Sequence, residues 1–143
     1  MGIHQISVFL ENRAGQLAEI TSILSENKID MRAISIAETT DYGVLRLIVS
    51  EPERTASILL SHGFILSMTP VVAVAVPDEP GGLARVLHIL AEAEIDIEYM
   101  YAIIGRIAGR AYMIFRVNDE EKFRVTLATS GLATISKEEL GIQ

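Results

Sequence analysis

An internal repeat with a period of 66 residues is the strongest constraint on the fold of this chain. Residues 12–31 (NRAGQLAEITSILSENKIDM) align with residues 78–97 (DEPGGLARVLHILAEAEIDI), and 8 of the 20 aligned pairs are identical. The identical pairs are Gly15/Gly81, Leu17/Leu83, Ala18/Ala84, Ile23/Ile89, Leu24/Leu90, Glu26/Glu92, Ile29/Ile95 and Asp30/Asp96. Because self-similarity at a fixed period indicates a duplicated structural unit, the sequence predicts two copies of one unit.

Each copy has the same predicted order of secondary structure. Segments rich in β-branched residues predict strands, and apolar residues at helical spacing predict helices. The predicted strands are residues 3–11, 29–38, 43–50 and 64–69 in the first copy and residues 71–77, 95–104, 109–117 and 132–136 in the second. The predicted helices are residues 16–27 and 53–61, followed by residues 82–93 and 119–129. The order is therefore β-α-β-β-α-β, twice.

This order is that of the ferredoxin-like split βαβ arrangement, in which two helices cover one face of an antiparallel four-stranded sheet. The predicted fold class is α+β, with one ferredoxin-like βαββαβ unit in residues 1–70 and a second in residues 71–143. Residues 40–43 and 105–109 predict hairpin turns. Only Pro70 separates the two copies, so we expect the units to pack as a pseudo-two-fold pair.

Glycines and short polar residues mark the expected ends of the second helix in each copy. Gly63 and Gly131 follow these helices, at the position where a left-handed residue commonly ends a helix. Asn118 or Asp119 is expected to cap the start of the last helix, because its side-chain oxygen can accept a hydrogen bond from a first-turn N–H group.

A short motif before the first helix of each copy resembles the ligand loop of ACT domains. The second copy has DEPGGL at residues 78–83, after the strand VVAVAV, and the first copy has NRAGQL at residues 12–17. Each motif leads into an apolar helix and an Ile-Asp entry to the next strand. Together with the duplicated β-α-β-β-α-β order, these residues make the chain similar to a tandem ACT domain protein over nearly its whole length.

The resemblance implies a regulatory module that binds an amino acid or similar small effector between paired domains, at the loop after the first strand. Carried over to this sequence, the ligand-binding positions are Asn12, Arg13, Ala14, Gly15, Gln16 and Leu17 in the first copy and Asp78, Glu79, Pro80, Gly81, Gly82 and Leu83 in the second. The two loops differ in charge, and only the second contains proline. Whether one or both bind is left open.

The chemistry of these loops independently fits a small polar ligand. Glycine at a helix start lets a ligand approach the backbone closely, and unpaired first-turn N–H groups favour an anion such as a carboxylate. Asp78, or the side-chain oxygen of Asn12, can accept hydrogen bonds from a ligand ammonium group. A purely structural interpretation stands beside this one: Asp78 caps the helix, Pro80 occupies its first turn, and the glycines only permit the turn.

Composition and charge argue against several other classes of function. Residues 1–70 carry 5 basic and 8 acidic side chains (−3) and residues 71–143 carry 7 and 11 (−4), so neither half suits a nucleic-acid backbone. No run of 18 apolar residues predicts a membrane span. The N-terminus does not read as an export signal, so the expected location is cytoplasmic. The absence of cysteine excludes disulfides and thiolate metal sites.

Catalytic and metal-binding patterns find little support. His88 and Glu92 have the spacing of metal ligands on a helix, but no further histidine is nearby in sequence, and a solvated helix face is the favoured interpretation. Tyr99 and Tyr101 share a face of a predicted strand, which fits a pocket, a dimer contact or ordinary sheet packing. No recognisable nucleophile motif is present. We therefore expect a protein that is not an enzyme, with no catalytic residues, no metal and no cofactor.

The leading expectation is a stand-alone tandem ACT protein that binds an amino acid at the junction of its two units or across a homodimer, through its β1–α1 loops. Such a sensor has no attached catalytic domain, so it signals to a partner enzyme or regulator. The alternative is a ligand-free oligomerisation or protein-interaction module that uses exposed strand edges.

Overall fold

Strands and helices follow one another in the predicted order. The computed structural model describes residues 2–11, 13–38, 42–105 and 109–143. Its strands are β1 (Ile3–Glu11), β2 (Met31–Glu38), β3 (Tyr42–Val49), β4 (Leu66–Pro77), β5 (Ile97–Ala102), β6 (Arg110–Val117) and β7 (Thr134–Ile135). Its helices are α1 (Gln16–Glu26), α2 (Pro52–Ser61), α3 (Gly82–Glu92) and α4 (Glu120–Thr129). The α+β class and the duplicated order are confirmed, and β4 serves both copies.

Two compact units divide the chain. The first unit comprises His4–Thr69 and Lys137–Gln143, and the second comprises Pro70–Ser136 and Met1–Ile3. The border falls inside β4, where the sequence places Pro70. The assignment of residues 1–70 and 71–143 to two ACT-like domains stays a prediction, and the predicted turns at residues 40–43 and 105–109 lie partly outside the described residues.

The sheet of the first unit has the strand order β2-β3-β1, followed by the first residues of β4. Both β1 and β2 pair antiparallel with β3, and Leu47 faces Ile6 on one side and Ile34 on the other. Alternate residues of these strands point to the helices and form one apolar core with α1 and α2. The buried members of that core are Ile6, Val8, Ile20, Ile23, Leu24, Ile29, Leu45, Leu47, Val49, Leu59 and Phe64.

The second unit has the equivalent strand order, β5-β6-β4-β7, in which the rest of β4 takes the place of β1. Val74 pairs with Met113, and Phe115 lies between Val72 on β4 and Met100 on β5. The buried members of its core are Val72, Val74, Val76, Val86, Leu90, Ile95, Phe115, Val117, Phe123 and Leu127. Each fully buried aliphatic or aromatic side chain contributes about 1.5–3 kcal/mol to folding. Both predicted amphipathic helices, α1 and α3, use the expected apolar face.

Helix ends differ between the two helix pairs. Gly63 and Gly131 follow α2 and α4 with φ of 87° and 76°, as predicted. After α1 and α3 the corresponding left-handed positions are held by Lys28 and Glu94, with φ of 56° and 57°. A side chain with a Cβ atom is strained in this region of conformational space. Helices α1 and α3 therefore end in a less favourable backbone conformation than helices α2 and α4.

The segment Lys137–Gln143 lies against β2 and the end of β3 in the first unit. Leu140 and Ile142 are buried. The Nε of Arg32 donates to the carbonyl of Leu140 at 2.6 Å, and the N–H of Gln143 donates to the carbonyl of Ser50 at 2.8 Å. No sequence pattern predicts this attachment, because the apolar residues of the segment are not periodic.

Candidate functional site

The first helix of each copy begins at a glycine in the left-handed conformation. Gly15 and Gly81 have identical backbone angles, φ 87° and ψ −9°, and are the N-cap residues of α1 and α3. Their carbonyls accept the N–H groups of Glu19 and Arg85 at 2.9 and 3.0 Å. Since glycine has no side chain, neither N-cap residue can cover the orphan N–H groups of its first turn. These amides form the centre of each predicted ligand loop.

The last helix provides a contrast within the same chain. The N-cap of α4 is Asp119, whose Oδ1 accepts the N–H of Lys122 at 3.0 Å. This confirms one of the two predicted caps. The structural interpretation of the second loop, with Asp78 as the cap and Pro80 in the first turn, is wrong: the N-cap is Gly81, so both residues precede the helix.

Gln16 braces the first loop from inside. Its side chain is only 6% exposed, and its Oε1 accepts a hydrogen bond of 2.7 Å from the backbone N–H of Glu11, the last residue of β1. The carbonyl of Glu11 accepts the N–H of Arg13 at 2.8 Å. Both backbone polar groups of Glu11 are therefore bonded within the loop, and the end of β1 is tied to the start of α1.

The outer side of the first loop is charged and solvent-exposed. The guanidinium of Arg13 lies 3.5 Å from the carboxylates of both Glu11 and Glu19, and all three side chains face solvent. Exposed ion pairs of this kind contribute about 0–1 kcal/mol. Ala14 is exposed, whereas Leu17 packs against the core of the first unit and fixes the helix start.

The second loop is held by its own backbone. The N–H of Asp78 donates to the carbonyl of Gly109 at 2.9 Å. The N–H of Glu79 donates to the carbonyl of Pro77 at 2.9 Å, and the N–H of Gly82 donates to the carbonyl of Glu79 at 3.0 Å. These successive turns hold the backbone between β4 and α3. Asp78 and Glu79 are exposed, so the outer side of this loop is acidic where the first loop carries Arg13.

The braces of the two loops are different solutions to the same problem. Gln16 corresponds to Gly82 in the repeat, and Glu11 corresponds to Pro77. Pro77 has no N–H group that needs an acceptor, and a Cβ atom on Gly82 would overlap the Pro77 carbonyl oxygen. A side chain therefore closes the first loop, and direct backbone contact closes the second.

Within each copy the structure brings the predicted loop residues together at one helix start. In the second loop Pro80 is exposed and Leu83 packs against the core of the second unit. Asn12 lies outside the described residues. The role of Gln16 as a brace was not foreseen. The sequence contains one signal that could have revealed it. The two copies differ at both bonded positions together, with Gln16 replaced by Gly82 and Glu11 replaced by Pro77.

The structure supports no catalytic or metal-binding role for the other candidates from the sequence, Tyr99, Tyr101 and His88. The rings of Tyr99 and Tyr101 do share one face of β5, with centroids 6.4 Å apart and an angle of 23° between planes. His88 is exposed, and the described part of the chain contains no group of three or more His, Asp or Glu side chains placed to hold a metal ion. None of the helices in that part is long and apolar enough to cross a membrane.

A cavity of about 390 Å³ lies in the first unit where α2 begins. It is lined by Glu51, Pro52, Glu53, Arg54, Lys137 and Gln143. Its charges are mixed, and Arg54 already pairs with Glu51 at 3.3 Å. None of the predicted ligand-loop residues lines it, so it is separate from the candidate site.

Comparison with known proteins agrees with this architecture. Residues 1–142 match the family described as ACT domain pair. The crystal structure of protein BT0572 from Bacteroides thetaiotaomicron has 34% sequence identity and a TM-score of 0.91, and the match covers 99% of this chain and 96% of that chain.

More distant solved structures share the fold alone. The regulatory subunit of aspartate kinase from Thermus thermophilus, in its ligand-free form, has 15% identity and a TM-score of 0.66, covering 91% of this chain and 93% of that chain. The corresponding subunit from Thermus flavus has 14% identity and a TM-score of 0.58, covering 92% and 94%. A search of the curated proteins found no match. On the family match and the Bacteroides relative, the chain belongs to the family of ACT domain pairs.

Proposed function

We propose that this protein is a regulatory sensor that binds an amino acid through the loops at the start of α1 and α3. The observation that carries the proposal is the pair of left-handed glycines, Gly15 and Gly81, which begin two helices without a capping side chain. First-turn N–H groups suit a carboxylate, and acidic or amide side chains at residues 12 and 78 suit an ammonium group.

The energy of such binding cannot come from the helix dipole alone. An exposed helix N-terminus contributes about 0.3–1 kcal/mol to holding an anion, whereas micromolar affinity requires about 8 kcal/mol. Most of the affinity must therefore come from several desolvated hydrogen bonds made at once. An α-amino acid offers both an acceptor group and a donor group within a small volume, which matches the mixed polarity of the loops.

We further propose that the output passes to a partner enzyme or regulator. The described residues contain no cluster of three or more His, Asp or Glu side chains placed to hold a metal ion, and the sequence contains no recognisable nucleophile motif. Two proteins of the same fold are named as regulatory subunits of aspartate kinase. We extend to this chain only the regulatory role that those names state.

Thermal unfolding in the presence of each of the twenty common L-amino acids tests the proposal. At a concentration 100 times its dissociation constant, a ligand that binds only the folded protein adds about 2.7 kcal/mol of stability. We expect at least one amino acid to raise the melting temperature in a concentration-dependent manner. If none does, amino-acid sensing is wrong for this protein.

An exposed apolar patch favours the second candidate, a protein-interaction module. Phe9 and Tyr42 are 45% and 47% exposed with ring centroids 6.2 Å apart, and Ile65 is 68% exposed. The N–H of Phe9 donates to the carbonyl of Ile65 at 2.9 Å, so the three side chains belong to one region of the first unit. Exposed apolar clusters commonly mark association surfaces, and we propose a homodimer.

Light scattering of the wild type and F9E, with and without amino acids, separates ligand-free assembly from ligand-linked assembly.

A further inference from the structure

The two loops differ most at the first residue of their helices, where Gln16 corresponds to Gly82. We propose that Gln16 is a specificity-determining residue, which makes the first loop the one that binds the carboxylate of the effector. This inference rests on the function proposed above and deepens it, because it assigns the carboxylate to one loop and to one side-chain donor.

The orientation of the Gln16 amide follows from its single bonded neighbour. The backbone N–H of Glu11 is a donor, so the atom that it meets at 2.7 Å must be the acceptor Oε1. The Nε2 group, which carries two donors, is then directed away from the end of β1. Because the side chain is 6% exposed and held at Oε1, this direction is fixed by the fold.

The Nε2 group is available to a ligand. Among the described residues no atom accepts a hydrogen bond from it. In that same part of the chain, every fully buried side-chain nitrogen or oxygen has a partner. The Nε2 atom is therefore not sealed inside the protein and reaches the solvent-accessible surface of the loop. A mostly buried carboxamide thus presents two unused donors beside the first turn of α1.

The donors that the two loops offer, rather than their charges, support the same assignment, because Arg13 lies between the carboxylates of Glu11 and Glu19 and the second loop has Arg85 at the position of Glu19. Gly82 supplies no side-chain donor, and no larger residue fits there because its Cβ would overlap the carbonyl of Pro77. A carboxylate at the first loop meets backbone N–H groups and the two amide donors of Gln16. At the second loop it would meet backbone N–H groups, with no side-chain donor at the position of Gln16.

A conservative substitution tests this assignment. In Q16E one carboxylate oxygen can still accept the N–H of Glu11, while the other replaces the amide donors with a negatively charged acceptor. A carboxylate in the first turn of a helix is also compatible with the helix dipole, so we expect the free energy of unfolding to be maintained. The control is Q143E, the same chemical change at an exposed residue outside both loops.

The measurement is calorimetric titration with the common L-amino acid that raises the melting temperature most, followed by titration with its primary amide. For the acid, Q16E should raise Kd by about 10-fold or more through lost donors and like-charge repulsion. Q143E should leave Kd within about twofold. For the amide, which can donate where the acid cannot, Q16E should lose much less affinity or gain some.

The outcomes separate the two proposals. If the wild type binds an amino acid and Q16E binds it with unchanged affinity, Gln16 does not determine specificity, although amino-acid sensing stands. An equal loss for the acid and the amide would point to general damage of the loop and would also overturn the inference. If the wild type binds none of the amino acids, the sensor function fails and this assignment fails with it.

Discussion

Gln16 Oε1 accepts the backbone N–H of Glu11 at 2.7 Å, and this bond joins the last residue of β1 to the first residue of α1. In the second copy the same two positions are Gly82 and Pro77, so the hydrogen bond is replaced by direct contact between backbone atoms. Duplication has preserved the path of the loop while changing how the loop is held. The loops consequently respond differently to substitution.

Removing the brace of the first loop should destabilise the protein. In Q16A the N–H of Glu11 loses its acceptor, and a partly buried amide without a partner costs about 1–3 kcal/mol. We expect the free energy of unfolding in urea to fall by that amount. E19Q, which changes an exposed ion pair at 3.5 Å, serves as the control and should shift stability by less than about 0.5 kcal/mol. Equal effects of the two variants would contradict a bracing role for Gln16.

The second loop should be sensitive to a much smaller change. A methyl group added in G82A would overlap the carbonyl oxygen of Pro77, and both atoms belong to a loop held by successive backbone hydrogen bonds. Relief of the overlap requires a backbone shift, for which we expect a loss of about 2–4 kcal/mol or more. In G43A the nearest atoms lie at an ordinary 3.7 Å, so this control should lose much less. Unfolding midpoints of the two variants give the comparison.

The sequence predicted the loops because their positions depend on short-range patterns. Self-similarity at a fixed spacing located both copies, and the helical spacing of residues such as Ile20 and Val86 located the cores. The position of each loop follows once a strand and an amphipathic helix adjoin at glycine. These features are properties of neighbouring residues, so they can be identified without knowledge of tertiary contacts.

The features that the sequence did not predict depend on contacts between distant residues. Arg32 bonds to Leu140 across 108 positions of the chain, and nothing in the local pattern of either residue indicates the other. The alternative role of Asp78 as a helix cap was wrong for a related reason. Its side chain is suitable for capping, but the helix begins at Gly81, as the backbone turn between β4 and α3 requires.

The helix ends offer a way to stabilise the protein. Lys28 adopts φ of 56°, where a residue with a Cβ atom is strained by about 1–2 kcal/mol. K28G removes that strain at the expense of greater freedom in the unfolded chain, which costs about 0.5–1 kcal/mol. We expect a net gain of about 0.5–1 kcal/mol in the free energy of unfolding. K28A removes the same side-chain charge and keeps the strain, so it should give no gain. A gain in both variants would assign the effect to charge.

The attachment of Lys137–Gln143 should depend on Arg32. Its Nε donates to the carbonyl of Leu140 at 2.6 Å, and a hydrogen bond from a charged donor contributes about 1.5–3 kcal/mol. In R32A we expect a loss of that size, together with faster proteolytic cleavage within the segment, because the segment loses one of the two hydrogen bonds that attach its backbone to the first unit. R85A removes an exposed arginine from α3 and should change neither measurement.

R32K keeps the charge but not the shape of the guanidinium, so partial retention of the attachment would identify the positive charge as one part of the interaction. Unchanged cleavage of the segment in R32A would show that the buried side chains alone hold it in place.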